Sequence, residues 1–476
     1  MKRIMKEYLL EAAALAVWLI TLAGCSGSEV IQEEGSGQQE SVTQQFTVVV
    51  ESVGELFSQA DSRRPISSVD PEQSFDKLSL IITRYESPAE VVYMKTLDGW
   101  SDTHNRVSVP WSQGDSRGRK AVVTLTGDEC LENDRDYLVY AIGYQSGTYG
   151  GYEAFAGVKP GDNFFRTEIA DVPEGGIAEE IFAGAESFHV HDGKIYPVAS
   201  SEAEEEEAVV VLRRQVAGTF GYFTRIPAQY AGESVAAMQL VTTRKNRTVI
   251  FGGFRGVDDE ENFRKENVIN GMNPRTDYNA ALAGSAVNNA FVVYRINLAN
   301  WFPGNTSNSA LPLDQNGDGY LDAEDTNWQI DTDRYPDSSI SLPAGTVFND
   351  SFLVSVAMTE ADIAAGLPTF QMQLLSANGK ILKHWDVLLR DSEEEEQTVR
   401  TMVSLPDGNN GRAVVTVEDN PETEYCYSVV RNRLYTMGVK SQGQSYGEDE
   451  PIDMSQVDDL VLDSRHEWNA VNIIFF

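Results

Sequence analysis

The chain has 476 residues, long for one domain and comfortable for two or three. Asp plus Glu number 73 against 37 Lys plus Arg, a formal net charge of −36; a field of that sign repels nucleic acid, whose binding begins when Lys and Arg neutralise phosphates, and it repels an anionic membrane surface. The cysteines Cys25, Cys130 and Cys426 lack the spacing of a metal site, and buried free thiols are the ordinary role for the last two.

Lys2, Arg3 and Lys6 form a basic start, followed by an apolar run from Leu9 to Leu22 interrupted by Glu11 and Thr21. At about 14 residues it falls short of the ~20 that span a bilayer. Small Ala23 and Gly24 then precede Cys25, so the run reads as a secretory signal with a small-residue cleavage site. Leu22-Ala23-Gly24-Cys25 is a lipobox, the pattern in which the cysteine is acylated and the peptide is cut before it. Residues 1–24 are thus expected to be a lipoprotein signal peptide, with Cys25 the lipidation site and the protein held at a cell surface or outer membrane. Acyl chains contribute about 0.8 kcal/mol per buried CH₂, and stable anchoring takes more than one chain.

Residues 25–45, rich in Gly, Ser, Gln and Glu, read as a flexible tether. Phe46–Val53 and Lys77–Thr83 read as strands. Between them a polar loop carries Arg63-Arg64-Pro65, and no Lys or Arg occurs from Ser26 through Ser62. That loop is the first place where an Arg-specific protease can cut the mature chain; Pro65 hinders cleavage after Arg64 and leaves Arg63 as the better bond. Further strand signals follow at Val91–Met94, Lys120–Leu125, Tyr137–Tyr144, Phe188–Val190 and Ala208–Leu212, separated by Gly, Asp and Asn clusters. Short strands at regular spacing predict an antiparallel sandwich or barrel. Only Ile177–Phe182 and Met358–Gly366 look like single helical turns.

The acidic run Glu202–Glu207 marks a domain seam. The expected domains are 46–205 and 206–476. Strands in the second include Val209–Ile226, Ser234–Thr242, Thr248–Phe254, Ala290–Leu298, Phe352–Ala357, Phe370–Ser376, Ile381–Leu389 and Leu434–Val439. The last stretch, Trp468–Phe476, is an apolar strand that needs covering, by its own sandwich or by another chain.

The order of these features resembles the fimbrillin superfamily of Bacteroidales. It comprises the lipobox, tether, strand and Arg-containing loop, then "SFDKLSLIITRYESPAE", "RDYLVYAIGY", "VVVLRRQVAGTFGYFTRIPA" with Arg213 and Arg214, and "YSVVRNRLYTMGVK" with Arg431, Asn432 and Tyr435. The resemblance covers most of the mature chain, and the ordering is more specific than any one piece. It implies an all-β fold of two tandem transthyretin-like antiparallel β-sandwich domains in a subunit or anchor of surface pili. Such subunits resemble one another in assembling by strand exchange: in stalk and tip subunits an Arg-specific protease removes the first strand, and a strand of a neighbour fills the groove, a form of β-augmentation. Anchor subunits keep the acylated cysteine. Both roles stay open here, since Pro65 spoils one side of the Arg pair.

The sharpest local motif is Asp314-Gln315-Asn316-Gly317-Asp318-Gly319-Tyr320-Leu321-Asp322-Ala323-Glu324-Asp325. It fits the calcium-loop pattern D-x-[DN]-x-[DN]-G, with Asp314, Asn316, Asp318, Asp322 and Asp325 as side-chain ligands and the Tyr320 carbonyl as another. Asp325 stands where a longer Glu is usual, as in dockerin-type loops, which this segment resembles. No second copy occurs, so a dockerin partner function does not follow. A bound Ca²⁺ would rigidify the long connection 301–340.

His189 and His191 flank Val190 on a strand and face the same side, which could begin a zinc or copper site. No third His or Cys lies near in sequence, and exposed strand residues are the ordinary reading. There is no Gly-x-Ser-x-Gly elbow, His-Glu-x-x-His helix, phosphate loop or dinucleotide fingerprint. The expectation is therefore no catalytic activity and, as partners, other fimbrial subunits, the outer membrane through the lipid, and host or bacterial surface ligands. The alternatives are a non-polymerising surface lipoprotein that binds glycan or protein ligands and, more remotely, an extracellular glycosidase built on distant carboxylates.

Overall fold

A computed structural model describes residues 43–52, 75–102, 107–113, 116–164, 168–172, 178–198, 207–246, 248–251, 274–277, 291–304, 313–334, 342–354, 368–390, 397–406, 412–419, 429, 434–438, 450–457 and 460–465. Almost every regular element among them is a strand, so the fold is all-β. None of the described helices is long and apolar enough to cross a membrane.

The first half contributes β1 (Thr43–Ser52), β2 (Lys77–Arg84), β3 (Val91–Asp98), β4 (Val109–Gln113), β5 (Ser116–Thr126), β6 (Arg135–Tyr144), β7 (Glu168–Asp171), β8 (Ile181–His191), β9 (Lys194–Pro197) and β10 (Val209–Arg214). Their order is β3-β2-β6-β8-β10-β1-β5-β4, with β9 beside β8. β10 is the corner strand. Its first residues pair with β1, whereas Arg213 and Arg214 pair with Ala183 and Phe182 of β8. Two layers are thereby folded face to face, and Phe46, Val48 and Val50 of β1 pack with Leu78, Leu80 and Ile82 of β2 and Val139 of β6 in one apolar core.

The run "YLVYAIGY" in β6 has no polar alternation because both faces of its layer are covered. Tyr137, Val139 and Ala141 enter the first core. Leu138, Tyr140, Ile142 and Tyr144 point the other way, into a second core shared with Phe220, Tyr222 and Phe348. That period of two is what a pleated strand imposes.

The second half begins with β11 (Ala217–Thr224). It belongs to a sheet ordered Val292–Asn297, Ala237–Thr242, Phe370–Leu375, Ile381–Arg390, Leu460–Arg465, Leu434–Met437, Ala217–Thr224, Thr346–Leu353. The stretch expected as one strand from Val209 to Ile226 is thus two, in different sheets, broken at Gln215-Val216 where the Gln215 side chain donates to the Arg213 carbonyl at 2.8 Å. The first sheet therefore runs past the 205/206 seam drawn at the acidic run. β7 also bridges the halves, pairing with Thr248–Phe251.

The helical turn expected at Ile177–Phe182 is not found, because Ile181 and Phe182 begin β8 and Ala178 bridges to Phe352. Two small residues, Ala183 and Gly184, obscured that strand. A Cβ on Gly184 would lie 2.2 Å from the Val211 carbonyl oxygen of β10, so the close approach of the corner strand demands glycine. Met358–Gly366 and Trp468–Phe476 lie outside the described residues.

Candidate functional site

Two places carry the chemistry expected from the sequence. The first is β1. It runs antiparallel to β5 over its whole length, from Thr43 opposite Thr126 to Ser52 opposite Arg117, and parallel to β10 from Thr47 opposite Val209 to Val50 opposite Leu212. It is an interior strand with a hydrogen-bonded neighbour on each side. Side chains reinforce it: Gln44 donates to the Leu131 carbonyl at 2.9 Å and accepts from the Leu131 amide at 2.7 Å, and Thr47 bonds to Glu207. Its only covalent tie to β2 is the connection 53–74. Cys25, Arg63 and Arg64 lie outside the described residues.

The second is the loop 314–325, a turn-rich segment whose Asp and Asn side chains accept backbone N–H groups, although no three of its carboxylates lie within 4.8 Å of one another. Both Asp314 oxygens accept backbone N–H groups, from Gly317 at 2.6 Å and Gly319 at 2.9 Å. Asn316 accepts from Asp318, Asp318 from Tyr320, and Asp322 from Glu324, each at 2.8 or 2.9 Å. Asp325 closes the loop by accepting from the Gln315 amide at 2.7 Å and the Asp322 amide at 2.9 Å. Gly317 and Gly319, with φ of 81° and 95°, supply left-handed backbone that a side chain would strain.

The loop is docked rather than dangling. Tyr320 and Leu321 pair with Pro227 and Ile226, Leu321 is fully buried, and the Trp328 indole donates to the Thr346 carbonyl at 2.9 Å. Docking buries Asp314, Asp322 and Asp325 to 2%, 7% and 3% exposure. Burial pushes the Asp325 carboxyl above the usual aspartate range, and Asp314 adds to that, against the backbone N–H groups that pull it down. Arg225 offers the Asp322 carboxylate a partner at 3.5 Å. Three buried carboxylates against one arginine leave negative charge in a low-dielectric place, and each carboxylate oxygen keeps a second lone pair. Oxygen donors of this kind are the ones a hard divalent cation takes.

The chain therefore presents an all-β scaffold with an interior first strand and an acidic, oxygen-rich loop. No family model matches the chain, and no curated protein matches it. Among solved structures it is similar to a candidate cell adhesion protein from Bacteroides eggerthii, with 11% identity and a TM-score of 0.35 over 90% of this chain and 95% of that one. A fimbrial assembly protein from Parabacteroides distasonis gives 9% identity and a TM-score of 0.30 over 84% and 92%. The fimbrial anchor protein of Porphyromonas gingivalis gives 9% and 0.24 over 72% and 82%.

Proposed function

We propose that this chain is a subunit of a surface fimbrium, made as a lipid-anchored precursor through Cys25 and assembled by β-strand exchange, with a structural or adhesive role rather than an enzymatic one. The observation that carries the reading is the position of β1, hydrogen-bonded to β5 on one side and β10 on the other. Neighbouring strands lie about 4.8 Å apart, so loss of β1 would leave a slot one strand wide. An incoming strand would have to run antiparallel to β5 and parallel to β10, with apolar side chains replacing Phe46, Val48 and Val50 in the core. The apolar C-terminal stretch Trp468–Phe476 is our choice for the exchanging segment. A cut at Arg63 would sever the only covalent connection between β1 and the rest of its sandwich. The loop Asp314–Asp325 would hold Ca²⁺ through Asp314, Asn316, Asp318, Asp322, Asp325 and the Tyr320 carbonyl, fixing the connection that it occupies.

Intact-mass and N-terminal analysis of the protein from native cells tests this. An N-terminus at Arg64 or Pro65 together with polymer ladders on unboiled gels supports a stalk or tip subunit. An acylated Cys25 with 25–64 retained, co-purifying with a fibre, supports an anchor. A lipidated chain without ladder or fibre that binds a glycan array would replace the reading with a non-polymerising surface lipoprotein, and an unlipidated, uncut chain would overturn it.

A further inference from the structure

His189 and His191 lie on one side of β8, and the fold brings them a third ligand from the turn before β6. The β8–β9 hairpin closes through Asp192-Gly193, whose φ values of 48° and 74° suit a two-residue turn of this composition. That turn sets His191 opposite Lys194 and His189 opposite Tyr196. On the other flank β6 sets Asp136 opposite His189. One step outside β6, Asp134 adopts φ of 58° and donates its amide to the Val190 carbonyl at 2.6 Å. The adjacent Asn133 side chain accepts the Gly193 amide at 2.8 Å. These two bonds pin the 133–134 turn over the hairpin tip.

The result is a trio, Asp134, His189 and His191, whose ligand atoms all lie within 4.8 Å of one another, the only such group among the described residues. The Asp134 carboxylate is 2.7 Å from His191 Nδ1, and the two imidazole rings lie 6.3 Å apart at 19°. Asp136, 2.6 Å from His189 Nδ1, holds that ring from outside the trio, the placement by which a carboxylate orients a metal-binding imidazole. Of the neighbouring cations, Arg135 is occupied by Glu132 at 2.6 Å, which leaves Lys194 as the positive group across from His191. Asp134 is 74% exposed and the two histidines 43% and 34%, so the site opens to solvent.

We propose that Asp134, His189 and His191 bind a divalent transition-metal ion, Zn²⁺ foremost. Two imidazoles and a carboxylate suit a borderline ion such as zinc, whereas calcium and magnesium prefer all-oxygen sites, so this site and the loop Asp314–Asp325 divide by ligand chemistry. On binding, the His191–Asp134 hydrogen bond gives way to bonds from both groups to the cation, and His191 keeps its N–H on the ring nitrogen that does not coordinate. The remaining coordination positions face outward, to water or to a donor group on another molecule.

The test is calorimetric titration of the full chain with Zn²⁺ in about 1 mM Ca²⁺, which occupies oxygen sites of extracellular affinity, alongside zinc X-ray absorption. One zinc per chain with two imidazole nitrogens is expected. Affinity should fall by about tenfold or more in His189→Ala and in His191→Ala, and by about tenfold in Asp136→Asn, with unfolding midpoints in urea showing that the exposed-site variants remain folded. An all-oxygen zinc shell, equal affinity in the wild type and His191→Ala, or no zinc uptake overturns the proposal.

Discussion

Arg214 and Glu180 form an ion pair at the junction of the two sheets, with Arg214 Nε 2.9 Å from Glu180 Oε1 and both side chains excluded from solvent. The guanidinium lies 5.0 Å from the Phe182 ring centre and 5.9 Å from that of Phe352, one in each half of the molecule. It thus joins the last residue of β10 to the approach to β8 and to the second sheet. Removing one partner leaves a charge buried alone, which costs about 3–5 kcal/mol. Glu180→Leu and Arg214→Met should each lower the unfolding free energy by about that amount, and the double variant by less than either. Urea unfolding of the three chains checks this.

Gly184→Ala should cost more than an ordinary strand glycine replacement, which changes stability by only about 0.5–1 kcal/mol. The new methyl would meet the Val211 carbonyl oxygen at 2.2 Å, a backbone atom that cannot turn aside. Loss of the β8–β10 junction, read as a lowered thermal midpoint, is the expected outcome.

Gly345 links stability to the acidic loop. At φ of 77° its Cβ would lie 2.0 Å from the Ala323 nitrogen and 2.2 Å from the Asp322 carbonyl carbon. If the loop holds calcium, chelation should lower stability by about 1–3 kcal/mol, the range for a ligand at 10 to 100 times its dissociation constant. Gly345→Ala should then weaken calcium binding as well as the fold. Gly317→Ala meets no atom within 4 Å and tests the left-handed backbone alone. Equilibrium dialysis with calcium separates the two variants.

The Lys77–Glu153 pair, 3.0 Å apart, sets an acid-side prediction. Hydrogen bonding to Lys77, then to Tyr144, holds the Glu153 carboxyl below its ordinary 4.5. A depressed carboxylate stabilises the fold above its unfolded pKa, and that contribution is lost as pH falls through the folded value. The wild type should therefore exceed Glu153→Gln in stability at pH 6, and the gap should close as pH falls below the ordinary glutamate value of 4.5 and through the lower folded one. Because Glu153 is half exposed, the gap should stay under about 1 kcal/mol. Midpoints in urea across that pH range measure it.

Local signals made most of the strands legible. "KLSLIIT" and "DYLVYAIGY" are runs that a double-covered layer needs, and both form strands close to their expected limits. The calcium-type spacing falls on a segment whose Asp and Asn side chains accept its own backbone amides. What stayed hidden depends on distant partners. β4 contains Pro110 and reads as a loop until β5 pairs with it. The β10–β11 break falls within a continuous β-forming run, and its cause lies at the corner where β10 leaves β1 for β8. Asp134 joins His189 and His191 only through the β6–β8 register, so spacing along the chain gives no sign of it.

The doubly covered layer has a consequence for the order in which the chain is made. Once residues up to Arg214 have been synthesised, the first sandwich can close its own core, and the outer face of β6 is covered in part by what has already emerged, Tyr140 by Phe164 and Tyr144 by Tyr152, each pair with ring centres 5.4 Å apart. The rest of that covering, Phe220, Tyr222 and Phe348 among it, arrives later, and until then the nascent chain exposes part of an apolar face, the kind of surface that draws partly folded chains together. A fragment ending at Arg214 should associate more readily than the full chain, and anything that escorts this chain before completion would have that face to hold.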